Sequence, residues 1–299
     1  MAHLKYYADL AWLKTKLFFM RKKTTSQPEK SSWAVVGFFQ NDSGFLREWI
    51  LFYLSQGASH IYLVDNHSTD TSREDLRSFL EKGLISIYDP APHLGFKDQV
   101  VEAYNRLGNI AATSCEYALF LDTDEFLIFN QGAPLSDHWM NSPPQNGYVY
   151  NWCLFGTSDV KSLASDEWMI EKLTRRFGNN HNEHLHVKSL VRITQPFAFY
   201  KGNPHYPELA WGHKMQWPDG SPFDTNQRKI DFSFAKIHHY WYRTEEFYQK
   251  VKKPRRVAFD GGRSEEDEKN HKLQSHELED TSAALYIKAL KLWAKNHKL

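Results

Sequence analysis

"WAVVGFFQNDSGFLREWILFYLSQGASHIYLVD", residues 33–65, is the stretch that decides how this chain folds. It opens on a short apolar run, 33–39, rich in aromatic and β-branched residues, which fits a strand buried on both faces. Leu46, Trp49, Ile50 and Tyr53 then fall at i, i+3, i+4 and i+7 on one face of a helix, with Ser43 placed to cap its start and Gly57 to end it. The run 60–65 is a second buried strand. Strand, helix, strand in this order is the unit of a parallel sheet, because a crossover helix lets two neighbouring strands run the same way.

Working outward, the unit repeats. Leu76, Phe79 and Leu80 mark a helix, 85–89 a third strand, and 98–114 a helix with Val100, Tyr104, Leu107 and Ala111 on one face. A fourth strand lies in "EYALFLDTDEFLIF", residues 116–129. The expected fold class is therefore α/β, a mostly parallel, doubly wound sheet. Beyond about residue 150 the alternation stops. Trp152, Trp168, Trp211, Trp217 and Trp241 sit there among histidines and Pro/Gly turns, which suggests an irregular α+β half. The end of the chain, "DTSAALYIKALKLWAKNHKL", reads as an amphipathic helix with Leu285, Ala289, Leu292 and Trp293 turned inward.

The chain has 299 residues, 41% hydrophobic and 15% aromatic, enough for one large α/β domain or two intimate halves. A formal charge of +1 argues against a nucleic-acid binder, which would carry a strong basic excess. Cys115 and Cys153 make no framework of bridges and read as buried thiols of a reducing compartment. No apolar run reaches the roughly 18–20 residues that a spanning helix needs. The N-terminus is aromatic and basic but broken by Lys5, Asp9, Lys14 and Lys16, and it lacks a small-residue cleavage site. It reads as an arm packed on its own domain, with a membrane-surface helix as the alternative. A polar linker, residues 24–32, follows it.

Ligands of open α/β sheets sit beyond the carboxyl ends of the strands. Polar residues gather there: 40–42 after the first strand, 65–70 after the second, and 122–125 after the fourth. Asp122, Asp124 and Glu125 put three carboxylates within four residues at the end of a core strand, so something must compensate their charge. Side chains two apart on an extended strand face the same way, and oxygen ligands suit Mg²⁺ or Mn²⁺ better than zinc. Such an ion keeps waters and is shared with substrate phosphates.

The segment from Gln40 to Ser72 resembles the opening signature of family-2-like and family-92-like glycosyltransferases: Lys-Asn-Glu, a helix with Glu-Trp, a Gly, a strand, then Asp-Asn-x-Ser-x-Asp. "LFLDTDEFL" (119–127) is similar to the same family's Asp-x-Asp segment, and 152–158, 187–192 and 237–251 to its later blocks, in order. One departure is Gln40-Asn41-Asp42 in place of Lys-Asn-Glu, and 159–186 matches poorly. The resemblance implies a GT-A fold and transfer of a sugar from a nucleotide-diphosphate donor, a UDP-hexose by family habit. Asn41 and Asp65 would then meet the nucleoside, Lys97 and Lys188 the diphosphate, Asp122 the ribose and metal, Asp124 the metal directly, and His239 the metal or diphosphate. Inverting single displacement needs a carboxylate base from among Glu208, Glu183, Asp159 and Asp224, with Glu208 preferred because it follows "NPHYP", whose His205 could line the site.

The implied organisation is an arm and linker over 1–32, a nucleotide-sugar half over 33–155, an acceptor half over 156–245 and a helical segment over 246–299. The implied setting is surface polysaccharide or lipopolysaccharide synthesis on a glycan or glycolipid acceptor. It is cytoplasmic, with a peripheral contact at the inner face of the membrane. Two other readings compete: a non-catalytic carbohydrate-binding protein, and an Asp-x-Asp phosphatase, which would want the motif on its first strand. Several features are expected to stay outside the chemistry. His181, His184 and His186 read as a solvated loop or strand, "KKPRR" (252–256) as a solvated helix cap, and Glu125 as support for the motif's backbone or a neighbour of the ligands.

Overall fold

The computed structural model describes residues 2–20, 32–200 and 202–299, so the expected linker lies outside the described residues except for Ser32. In chain order the strands are β1 Trp33–Phe39, β2 His60–Asp65, β3 Ile85–Tyr88, β4 Tyr117–Asp122, β5 Glu125–Phe129, β6 Gly147–Leu154, β7 Arg175–Arg176, β8 Val187–Arg192, β9 Phe197–Tyr200, β10 Asn203–Leu209, β11 Ala235–His239 and β12 Leu278–Glu279. One eight-stranded sheet takes the order β3-β2-β1-β4-β8-β6-β11-β5. The strands β3, β2, β1 and β4 run parallel, as expected. β8 runs against both β4 and β6, β11 lies parallel to β6, and β5 closes the far edge antiparallel to β11. The irregular second half forms two small two-stranded sheets of its own, β9 with β10 and β7 with β12. It also inserts β8 and β11 into the sheet begun by the first half.

Both faces of the sheet are covered. Trp33, Val35 and Phe39 of β1 face the side of the helix Leu46–Ser55, while Ala34, Val36 and Phe38 face that of the helix Phe96–Ala111. This is the period-2 alternation of a strand buried on both sides. Gly37 lets the first helix close in: a Cβ there would stand 3.0 Å from both Trp49 and Leu63. The helix starts later than expected. Its cap is Phe45, without a side-chain bond, because the chain first makes a turn in which Phe45 N–H donates to the Asp42 carbonyl at 3.1 Å. Ser43 instead donates to Asp75 Oδ2 at 2.7 Å. Gly57, at φ +93°, ends the helix as anticipated. The next helix is split into Ser72–Asp75 and Arg77–Glu81; Leu76 and Phe79 are buried but Leu80 is exposed.

The terminal helix, Ala284–Asn296, turns a different face inward from the one expected. Tyr286, Ile287, Leu290 and Ala294 are buried, while Leu285 and Leu292 are 57% and 55% exposed. Tyr286 decides the phase, since its hydroxyl accepts the Phe129 N–H at 3.0 Å and draws that face onto β5. At the other end the helix Ala2–Phe19 lies against β10, with Leu17 buried, as the packed-arm reading requires. Both cysteines are free and buried. Among the described residues no helix is long and apolar enough to cross a membrane.

Candidate functional site

The parallel register brings three strand ends level. Phe39 of β1 pairs with Asp65 of β2, and Phe38 with Asp122 of β4, so Asp65 and Asp122 stand on either side of β1, two strand spacings or about 10 Å apart. Beyond β1 and β2 the two loops tie together. Asn41, at φ +51°, accepts the Thr69 N–H at 2.7 Å on its side-chain oxygen and gives its own N–H to Ser68 Oγ at 2.9 Å. Asp65 accepts the Ser68 N–H at 2.9 Å. An open pocket of about 450 Å³ lies here, lined by Asp65, His67, Ser68, Thr69, Asp70 and Arg73 among others.

At the end of β4 the acids have counter-ions. Lys188 of β8 is fully buried, with its ammonium 3.0 Å from Asp122 Oδ2 and 3.6 Å from Glu125 Oε2. Tyr104 donates to Asp122 Oδ1 at 3.2 Å. Glu125 accepts the Asp122 N–H at 2.9 Å, so it holds the backbone of the turn. Asp124 meets Lys252 at 2.7 Å and His239 Nε2 at 3.5 Å, and its carbonyl accepts the Tyr240 N–H at 2.8 Å. Asp42 binds Arg243 at 2.8 Å, and the hydroxyl of Thr123, the middle residue of Asp-x-Asp, also donates to it.

These partners fix the charges. Burial pushes the Asp124 carboxyl up, but Lys252 and then His239 more than reverse this and hold it well below the usual carboxylate range. Asp122 is likewise held low, by Lys188 against burial. For Glu125 burial wins over Lys188, and with Asp122 and Asp124 adjacent its carboxyl is raised far above the usual range. Lys188 is raised, because Asp122 and Glu125 outweigh the burial that opposes its charge.

The signature helix is scaffolding for this edge. Trp49 Nε1–H and the Tyr53 hydroxyl each donate to the Glu125 carbonyl at 2.9 Å. Glu48 accepts the N–H groups of Met169 and Ile170 at 2.7 and 2.9 Å and so holds the irregular half against the helix. Facing the acids is an aromatic wall. The Trp152 ring lies 4.2 Å from that of His239, 5.0 Å from His186 and 5.2 Å from His205, centre to centre.

Asp122, Asp124, Lys188 and His239 thus converge, with Asn41 and Asp65 on the neighbouring loops. Lys97 stands exposed on the first turn of its helix. Glu208 is paired with Lys14 at 3.2 Å, Asp159 with Lys272 at 3.2 Å, and Asp224 accepts the Asn226 N–H at 2.9 Å. Glu183 lies 3.5 Å from His186, which touches the Trp152 wall. Among the described residues no three His, Cys, Asp or Glu side chains come together as a cation-binding group. Two expectations need correction. His184 is no part of a solvated loop; it is fully buried and accepts the Leu154 N–H on Nε2 at 3.1 Å, a bond that fixes β6. The run 252–256 is no solvated cap, because Lys252 reaches Asp124 and Arg255 donates to the Gln40 carbonyl at 2.8 Å. Asp42 and Arg243 were not singled out as site residues, although Asp42 stands where the family signature has Glu.

A sheet whose parallel strands end in acids is the arrangement that the resemblance to GT-A enzymes implies. The chain belongs to glycosyltransferase family 92, whose model matches residues 35–282. A family 92 protein of Arabidopsis thaliana is 27% identical over 252 residues, which cover 80% of this chain and 40% of that protein. One of Oryza sativa subsp. japonica is 32% identical over 107 residues, 36% of this chain and 18% of that protein. The chain therefore spans less than half the length of these curated relatives. Among solved structures, S. aureus TarS 1-349 aligns over 89% of this chain and 73% of its own, at 13% identity and a TM-score of 0.35. Glucosyl-3-phosphoglycerate synthase from Mycobacterium tuberculosis, in complex with Mn²⁺, UDP and glucosyl-3-phosphoglycerate, aligns over 42% and 44%, at 18% identity and a TM-score of 0.27.

Proposed function

We propose that the chain moves a sugar from a nucleoside-diphosphate donor, a UDP-hexose, to a hydroxyl of a glycan or glycolipid. The reaction is an inverting single displacement assisted by Mn²⁺ or Mg²⁺. The observation that carries this reading is the convergence of Asp65, Asp122, Asp124 and His239 on one sheet edge, in a chain of this family. Asn41 and Asp65, beside the open pocket, hold the nucleoside, and Asp122 the ribose. Lys97, exposed on the facing helix, addresses the diphosphate, whereas Lys188, expected to join it, is fully buried and engaged by Asp122 and Glu125.

Asp124 and His239 fit a divalent cation. Their Oδ1 and Nε2 atoms stand 3.5 Å apart, near the about 3 Å between adjacent ligands of an octahedral ion with bonds of about 2.1 Å. Two protein ligands suffice, since such ions keep waters and share substrate phosphates. When bound, the cation would stabilise the charge that develops on the departing diphosphate. For the base, geometry favours the Glu183–His186 pair over Glu208. His186 sits against Trp152 beside His239, and burial lowers its pKa, so it is neutral and able to accept the acceptor's proton. Glu208 is instead engaged by Lys14. In this reading residues 33–155 bind the donor, 156–245 shape the acceptor site and 246–299 close over it. The two free thiols accord with a cytoplasmic setting for surface-polysaccharide or lipopolysaccharide synthesis.

Thermal melts with UDP, Mn²⁺ and both together test the reading. The expected result is a rise with UDP that needs Mn²⁺ and is lost in Asp124→Asn. A response to glycans alone would favour a binding module. No shift with any nucleoside diphosphate, with or without metal, would sink the proposal. A panel of nucleotide sugars, followed by Mn²⁺-dependent hydrolysis, then identifies the donor.

A further inference from the structure

Lys252 holds Oδ2 of Asp124, the carboxylate whose Oδ1 faces His239 and would take the cation of the preceding reading. Its ammonium is 2.7 Å from Asp124 Oδ2 and lies over the Trp241 ring at 5.5 Å. It is aimed inward by the backbone: Tyr248–Lys252 is a π-helical turn leading into the helix Lys253–Asp260. Turns of this kind shift the phase of a helix and recur at functional sites. Two residues earlier, Lys250 is 70% exposed and pairs with Glu246, whereas the Lys252 side chain is 14% exposed. Arg255 ties the same segment to the end of β1 through Gln40.

We propose that Lys252 is a diphosphate-binding residue held in reserve, neutralising Asp124 in the free protein and passing to the donor diphosphate when a divalent cation takes Asp124. This rests on the functional reading above. Asp124 is buried and needs a positive partner at all times. An ammonium and a divalent ion repel one another at a single carboxylate, so the ion's arrival releases the lysine. The released ammonium, anchored beside Trp241, needs an anion, and the diphosphate is the anion that arrives with the ion. Cation alone therefore binds weakly, because it must strand Lys252. Cation and nucleotide together bind tightly, and each raises the affinity of the other equally.

The test is free-Mn²⁺ titration by electron paramagnetic resonance, with and without UDP, on the wild type and Lys252→Met, which keeps the stem over Trp241 and removes the charge. Mn²⁺ alone should bind the variant about tenfold more tightly than the wild type, and UDP at saturating Mn²⁺ about tenfold more weakly. The variant should also melt lower than the wild type in EDTA and recover with Mn²⁺. If Lys252→Met fails to fold in EDTA, Lys252→Gln, which can still donate to Asp124, serves the same comparison. Equal Mn²⁺ affinities with undiminished coupling to UDP would overturn the inference and leave Lys252 a structural counter-ion. Failure of both proteins to bind UDP with Mn²⁺ would instead remove the functional reading, and this inference with it.

Discussion

Asp122 and Asp124 are two residues apart, yet their counter-ions come from opposite directions: Lys188 from β8, Lys252 from the segment before the helix Lys253–Asp260. Asp124→Asn keeps the size and removes the charge that a cation needs. Its kcat should fall about 10²-fold or more in a nucleotide-sugar transfer assay, as when one stabiliser of leaving-group charge is lost. Lys188→Met should cost about 1–3 kcal/mol in urea denaturation at pH 7, because it leaves Asp122 charged without its cation, a loss that solvent eases since the Asp122 side chain is 39% exposed. The pH sign follows from Asp122, whose carboxyl is held low: its contribution is present above the ordinary carboxylate range and fades as pH falls through the folded value. The gap between wild type and Lys188→Met should therefore narrow in acid. The acids themselves were legible, since Asp-x-Asp at a strand end is a local pattern. The basic partners were less so. Arg243 lies 201 positions from Asp42, and no local periodicity announces a pair that only the folded sheet creates.

Among the elements, the signature helix Leu46–Ser55 carries a titration of its own. Burial lifts the Glu48 carboxyl from 4.5 to about 7, against the two N–H groups that it accepts. The native protein thus keeps a proton that the unfolded chain releases between these values. Stability should fall as pH rises across that window, by at most about 3 kcal/mol, and Glu48→Gln should flatten the curve when unfolding is followed against pH. The helix was readable from its period because Leu46, Trp49, Ile50 and Tyr53 are all buried; Phe52, off that face, is buried as well and meets Tyr286 of the terminal helix. The terminal helix was readable as a helix but not in phase, since its leucines offer two apolar stripes and only the Tyr286–Phe129 bond chooses between them. Leu290→Ala should cost about 2–5 kcal/mol, as a buried cavity does, and Leu292→Ala about 0.5 kcal/mol or less, measured by urea denaturation.

For the molecule as a whole, ligand occupancy should appear as stability. With UDP and Mn²⁺ at a hundred times Kd the native state gains about 2.7 kcal/mol, a rise of several degrees in Tm. The doubly wound half was legible because strand and helix alternate in sequence there as they do in space. The remainder was not, because β8 and β11 are short strands within irregular chain, and their partners lie far away in the sequence.

The strand order has a consequence for biosynthesis. β11 lies between β6 and β5, so β5, which leaves the ribosome a hundred residues earlier, has no neighbour in the sheet until residues 235–239 emerge. Lys252 emerges later still. A nascent chain stopped before β11 therefore presents an open, apolar strand edge of the kind that recruits other chains. Such stalled chains should be cleaved rapidly within 125–129 by an added protease, and chains released past the helix Ala284–Asn296 should resist. The acids are translated before the cations that make them tolerable, so for much of its synthesis this protein carries an unfinished edge that its last third must complete.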